Sequence, residues 1–234
     1  MFGTPALAGP EDDTILGKNG HQCLRLALLA VLASTGGRGR SRNQLHRLFW
    51  PDSTPAHARH SLEQLLYAIR SSIDEDVFAG VNPVRLNSNS VTSDVDEFRG
   101  ALKRKDFEAA VEDYNGPFLE GLSLGDAPEF EEWLDSERAS LKRSYVDALE
   151  TLAQQAEAEE DNPAALRWWR RLASADPLSS RKAAGVVRAL MKAGDYPAAL
   201  QYAREYEVVV ARELGVSLGG QMAALVAEIR AASS

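Results

Sequence analysis

Two stretches of this chain repeat at a fixed distance: Asp161-Asn-Pro-Ala-Ala-Leu-Arg-Trp168 and Asp195-Tyr-Pro-Ala-Ala-Leu-Gln-Tyr202. The offset from Asp161 to Asp195 is 34 residues. Two helices and two turns occupy about that length, and small alanines let one helix lie close against the next. Asp106-Phe-Glu-Ala-Ala-Val-Glu-Asp113 is a third, weaker copy at a different offset. One such unit cannot bury its apolar face alone, so copies must stack. The repeat therefore commits the second half of the chain to packed helical hairpins.

The period is that of tetratricopeptide repeats, and Asp176-Pro177 falls where the terminal proline of such a repeat closes its hairpin. From Asp94 onward the pattern reads as helical to the end. Asp126-Ala-Pro-Glu129 has the form of a helix start, with Asp126 as cap and Pro128 second, opening a long amphipathic helix bent or broken once. A stack of this kind presents a groove for a peptide or another protein. The competing reading is a scaffold whose sole binding role is self-association.

The first half has a different pattern. Thr4–Ala8 and Thr14–Leu16 read as short strands around a Pro10–Asp13 turn. Leu24, Leu28, Val31 and Leu32 recur at helical spacing over Leu24–Ala33, and Gly36-Gly37 ends that helix. Ser41-Arg-Asn-Gln44 has capping-box form and begins a short helix that stops before Pro51. Thr54-Pro55 caps a third helix, over 54–73, with Leu62, Leu65, Leu66, Ile69 and Ile73 on one face. Strands follow at Asp76–Val81, Val84–Leu86 and Ser90–Val95, with turn chemistry at Asn82-Pro83 and Asn87-Ser88-Asn89. Three helices and then a hairpin is the order of a winged helix-turn-helix. The fold expected is mainly α: a winged helix-turn-helix with small strands over 1–93, then an all-α tetratricopeptide-like repeat domain over 94–234.

Charge divides the chain at the same place. The total is −8, yet the segment 22–73 holds seven arginines against Asp52 and Glu63, and the acidic excess lies after residue 93. A basic segment joined to an acidic body points to two domains with different partners. A single cysteine, Cys23, excludes an internal disulfide and suits a cytoplasmic location. The longest apolar run, Leu26–Ala33, is far short of the roughly 20 residues that span a bilayer, and the first residues lack signal-peptide form. His21, His46, His57 and His60 cluster early, but no Cys or acidic residue at metal spacing completes a ligand set. There is neither a phosphate loop nor a nucleophile elbow. The expectation is a protein that is not an enzyme, with no cofactor, no metal and no membrane.

In a helix-turn-helix the second helix of the unit reads the major groove while the first crosses the backbone. Helix 54–73 is the reader by position. His60, Gln64 and Tyr67 lie one turn apart on its polar face, with Arg70 on the flank. Gln pairs with adenine, His donates to guanine, and Tyr reaches phosphate or stacks. Arg38, Arg40 and Arg42 lie at the mouth of the supporting helix and suit phosphate contact. Arg59, nearer the apolar side, suits phosphate or an internal ion pair, and Arg85 is the hairpin contact.

The sequence resembles the bacterial transcriptional activator domain family of streptomycete antibiotic regulatory proteins. The likeness rests on Leu26–Ala33, Ser41–Leu45, Phe49-Trp-Pro-Asp52, Ala58–Arg70, Asp94–Phe98, Tyr114-Asn-Gly-Pro-Phe-Leu119, Glu129–Arg138, Asp176-Pro-Leu178 and Glu213–Val216, in chain order. The resemblance implies a regulator, usually an activator, that binds double-stranded promoter DNA through helix 54–73. It also implies a helical half that serves homodimerisation and contact with RNA polymerase or other regulatory domains. Three features depart from many relatives: Ala68 and Ser71 where arginines are common, Glu63 beside the groove face, and Asn82-Pro83 in place of a Gly-rich wing turn. They define the alternative, a degenerate winged helix that works only as a protein-interaction module.

Overall fold

Local hydrogen bonds in the sequence start the fold. The Ser41 hydroxyl accepts the Gln44 amide proton at 3.3 Å, and the Gln44 side-chain Oε1 accepts from the Ser41 amide at 2.9 Å. This closed box opens helix α2, Arg42–Phe49. The computed structural model describes residues 1–5, 7–8, 13–14, 20–73, 76–217 and 219–232. Before α2 come strands β1 (Leu7–Ala8) and β2 (Asp13–Thr14), an antiparallel pair, and helix α1 (Gly20–Ala33). The first strand omits Thr4 and Pro5, while Ile15 and Leu16 of the second expected strand and most of the expected Pro10–Asp13 turn lie outside the described residues. Helix α3 (Pro55–Ile73) starts where the Thr54 hydroxyl accepts from the His57 amide, at 3.4 Å. Strands β3 (Phe78–Ala79) and β4 (Arg85–Leu86) form a second antiparallel pair, with Phe78 opposite Leu86. Arg40 and Val84 exchange two backbone bonds of 2.9 Å, which ties the loop before α2 to this hairpin.

No strand forms at Ser90–Val95. Ser93 instead caps helix α4 (Asp94–Arg104), accepting from the Asp96 amide at 3.1 Å. A cap bond is available locally, whereas a third strand would need an edge to pair with, so the helix start prevails. Helix α5 (Phe107–Asp113) follows. The expectation of helix throughout also fails at 114–127, which is irregular but holds buried Phe118, Leu119 and Leu122. Its carbonyls are satisfied from outside: Arg138 donates to the oxygens of Phe118 at 2.8 Å and Leu119 at 2.6 Å. Helix α6 (Pro128–Ala158) then runs unbroken, with Pro128 its first residue and Asp126 outside the cap.

The chain divides into two compact units, Met1–Arg143 and Ser144–Ser234. Within the first unit, rings from before and after residue 93 pack together. Phe49 stacks on Phe130 (5.5 Å, 28°), Phe130 meets Trp133, Trp133 meets Phe118, and Phe118 meets Phe2. Phe2 also packs edge-on to Phe98 at 5.4 Å. Each ring pair adds about 0.5–1.5 kcal/mol beyond its buried area.

The second unit holds the later part of α6 with α7 (Asn162–Ala175), α8 (Ser180–Lys192), α9 (Tyr196–Leu214) and α10 (Gly220–Ala232), packed as helical hairpins. Gly185 of α8 lies against Trp169 of α7, where any β-carbon would overlap the indole. The indole nitrogen donates to Glu157 at 3.0 Å.

The three repeated Asp motifs share one turn. Asp106, Asp161 and Asp195 each accept from the amide three residues on (Ala109, Ala164, Ala198), at 3.2, 3.0 and 3.0 Å. The amide of each also bonds a carbonyl five residues back, in Ala101, Ala156 and Leu190, at 2.9, 2.9 and 3.0 Å. The residue before each aspartate is left-handed: Lys105 (φ 61°), Glu160 (φ 58°) and Gly194 (φ 77°). One helix's terminating bond and the next helix's cap thus meet on a single aspartate. A left-handed backbone costs an L-residue about 1–2 kcal/mol, and only Gly194 escapes that cost. Glu160→Gly is expected to raise unfolding stability by about 1 kcal/mol and Gly194→Ala to lower it by about as much, as read by chemical denaturation. Equal effects of the two substitutions would contradict the shared turn.

Candidate nucleic-acid interface

Helix α3 separates its residues by polarity. Ala58, Leu62, Leu65, Leu66 and Ile69 are buried, while Arg59, His60, Glu63, Gln64, Tyr67 and Arg70 are exposed. Tyr67 is 72% exposed. An aromatic ring left so open contributes little to the fold, which makes it available to a partner. His60 and Gln64 bond to each other at 2.8 Å through Nε2 atoms, one turn apart, so both side chains are ordered before any partner arrives.

The arginines divide into free and engaged groups. Arg42 is a brace: its amide donates to the Asn82 side chain at 3.1 Å, its Nε to the Val81 carbonyl at 3.1 Å, and its guanidinium pairs with Glu63 at 3.4 Å. It joins α2, α3 and the β3–β4 hairpin, and it offsets the carboxylate beside the exposed face. With Glu63 56% exposed, the pair adds only about 0.2–1 kcal/mol. Arg70 lies over the Phe78 ring at 5.6 Å, holding the end of α3 to the hairpin. Arg38 donates to the Thr35 carbonyl at 3.2 Å but stays exposed. Arg59 is exposed, with its buried neighbour Ala58 taking the core position. Arg85 of β4 is exposed at the hairpin and passes over Gly39 and Gly80. A side chain at Gly39 (φ 75°) would overlap Arg85 and the Val84 carbonyl, so glycine there lets the hairpin approach. Arg40 is half-buried, its Nε without a hydrogen-bond partner among the described residues.

Six of the nine expected site residues therefore fall in two groups, with Arg38, Arg59 and Arg70 outside them. His60, Gln64 and Tyr67 line the open face of α3. Arg40, Arg42 and Arg85 gather where α2 meets the hairpin. Sequence reasoning missed the hairpin partners Val81 and Asn82, because their contact with Arg42 is tertiary. Val81 is 74% exposed at the hairpin tip. Among the described residues no three His, Cys, Asp or Glu side chains group as a metal site, and no helix is long and apolar enough to cross a membrane.

His46 lies beneath this surface. Burial holds its pKa below 6.5, and the fields of Arg42 and Arg59 depress it further. Its Nε2 is buried without a hydrogen-bond partner among the described residues. The native state thus releases a proton that the unfolded chain binds near pH 6.5, so stability is full above that value and falls as pH drops toward the depressed native pKa. Asp96, raised mainly by burial, works in the opposite sense, since its native form favours the proton, and does so further down the scale. Denaturant titrations at pH 7.5 and 5.5 should show a loss for the parent chain and a smaller loss for His46→Gln. An equal loss in the variant would assign the acid sensitivity elsewhere.

The family described as Bacterial transcriptional activator domain matches residues 88–230, more than half of the chain. Among curated proteins none matches. A solved structure of Mycobacterium tuberculosis EmbR in complex with low affinity phosphopeptide is similar at a TM-score of 0.55 and 21% identity, over 92% of this chain and 60% of that one. At that identity the likeness is one of fold, and the chain spans less than two thirds of the EmbR chain.

Proposed function

Since the chain belongs to the bacterial transcriptional activator domain family, we propose that it is a DNA-binding transcription regulator, an activator, whose helix α3 enters the major groove of promoter DNA. In this reading residues 1–93 are a winged helix-turn-helix, with β3–β4 as the wing. Residues 94–234 are tetratricopeptide-like repeats for homodimerisation and contact with RNA polymerase or other regulatory domains, in the cytoplasm. The observation that carries it is the row His60, Gln64 and Tyr67, standing open to solvent beside arginines on a helix whose other face is buried.

Roles follow from chemistry. Gln64 pairs with an adenine edge and His60 donates to guanine, each good base contact discriminating by about 1–3 kcal/mol. Tyr67 stacks or donates to phosphate. Arg38, Arg40, Arg59 and Arg85 meet the backbone. Arg42 and Arg70, already engaged by Glu63 and Phe78, set the angle between α3 and the wing. That engagement also favours the rival reading, a protein-interaction module with a degenerate winged helix, because it leaves fewer cations for phosphate.

Selection from random DNA with the purified chain separates the two. A regulator enriches a repeated half-site, and a docking module leaves the pool flat. With four available arginines, the slope of log affinity against log salt should be about −3 to −4 per chain. The double variant Gln64→Ala/Tyr67→Ala is expected to lose site preference while keeping weak general binding and its circular dichroism spectrum. Undiminished preference would place the reading surface on another element.

A further inference from the structure

An open cleft of about 670 Å³ lies within the first unit, where the start of α1, the α2–α3 connection and the loop before α6 converge. Its walls include Cys23, Phe49, Trp50, Asp52, Gly125 and Asp126. We infer that this cleft binds a small molecule carrying an aromatic group and an ammonium.

Its size is that of pockets that take drug-sized ligands. Its aromatic wall is fixed in advance: Phe49 is buried and stacked on Phe130, and Trp50 leans on Phe49 at 5.8 Å. Among the described residues, the charged ones in the lining are Asp52 and Asp126, both exposed carboxylates, with no lysine or arginine beside them. Such a site attracts cations and rejects anions. An aromatic ring beside carboxylates also suits an ammonium, through the quadrupole of Trp50. Leu24 and Pro51 supply apolar contact for the remainder of the ligand. An occupant touches the α2–α3 connection and the 123–127 loop together. The inference does not depend on DNA reading.

The chain's one cysteine lines this cleft, so its reaction with Ellman's reagent reports on the cleft alone. The probes are 4-phenylbutylammonium, the neutral 4-phenylbutanol and the anionic 4-phenylbutyrate. The ammonium is expected to slow Cys23 modification at least about fivefold at saturation, at concentrations about tenfold below the alcohol, while the butyrate has no effect. Asp52→Asn/Asp126→Asn should erase the tenfold preference. A β-carbon at Gly125 meets nothing within 4 Å, so Gly125→Trp should fold, fill the cleft, slow Cys23 by itself and remove the probe effect. Equal protection by ammonium and alcohol overturns the inference. So does a preference that persists in the double asparagine variant, or the absence of protection in a folded parent chain up to the solubility limit of the ammonium.

Discussion

The ring of Phe49 against Phe130 is the contact on which the first unit depends. It closes the end of α2 onto the start of α6, and from there the aromatic series runs through Trp133 and Phe118 to Phe2 and Phe98. Helix α3 has only one apolar face to satisfy, and its polar face is left to water. The exposure of His60, Gln64 and Tyr67 follows from the one-sided apolar pattern of α3 itself. The compact unit continues to Arg143 while the family match begins at 88: the two describe different things, packing and descent.

Charge follows the same division of labour. Glu63 on the open face would repel phosphate if bare, but Arg42 meets it and spends its remaining donors on the Val81 carbonyl and the Asn82 side chain. The cost to any nucleic-acid affinity is one free cation, and the gain is a hairpin held beside α3. His46, its pKa lowered by burial and by Arg42 and Arg59, and its Nε2 without a hydrogen-bond partner among the described residues, fits a layer built for packing.

Much of this was legible in sequence, for local reasons. Ser41 and Gln44 cap α2 with their own side chains, Gly36-Gly37 ends α1, and the repeated Asp-x-x-Ala-Ala stretches mark helix starts, since a cap needs only three residues of context. The weak copy at Asp106 proved to have the same turn as the strong ones. What was not legible was tertiary. Ser90–Val95 follows a turn and holds the strand-favouring Val91, Thr92 and Val95, yet the Ser93 cap decides its fate. Phe118, Leu119 and Leu122 sit at helix-like spacing, yet their segment stays irregular, its carbonyls satisfied by Arg138 from the following helix rather than by a helix of their own. At the candidate interface, the polar face of α3 was readable from spacing, whereas the engagement of Arg42 and Arg70 was not, since both partners lie on other elements.

The three aspartate turns join their helices with almost no connecting chain. Each downstream helix is thereby geared to the one before it. An extra residue at 105/106, 160/161 or 194/195 would advance the following helix by about 100° and 1.5 Å, swinging its buried alanines toward water. Length variation in this architecture is therefore confined to the other connections, such as 114–127 and 176–179, while the geared joints keep a fixed residue count.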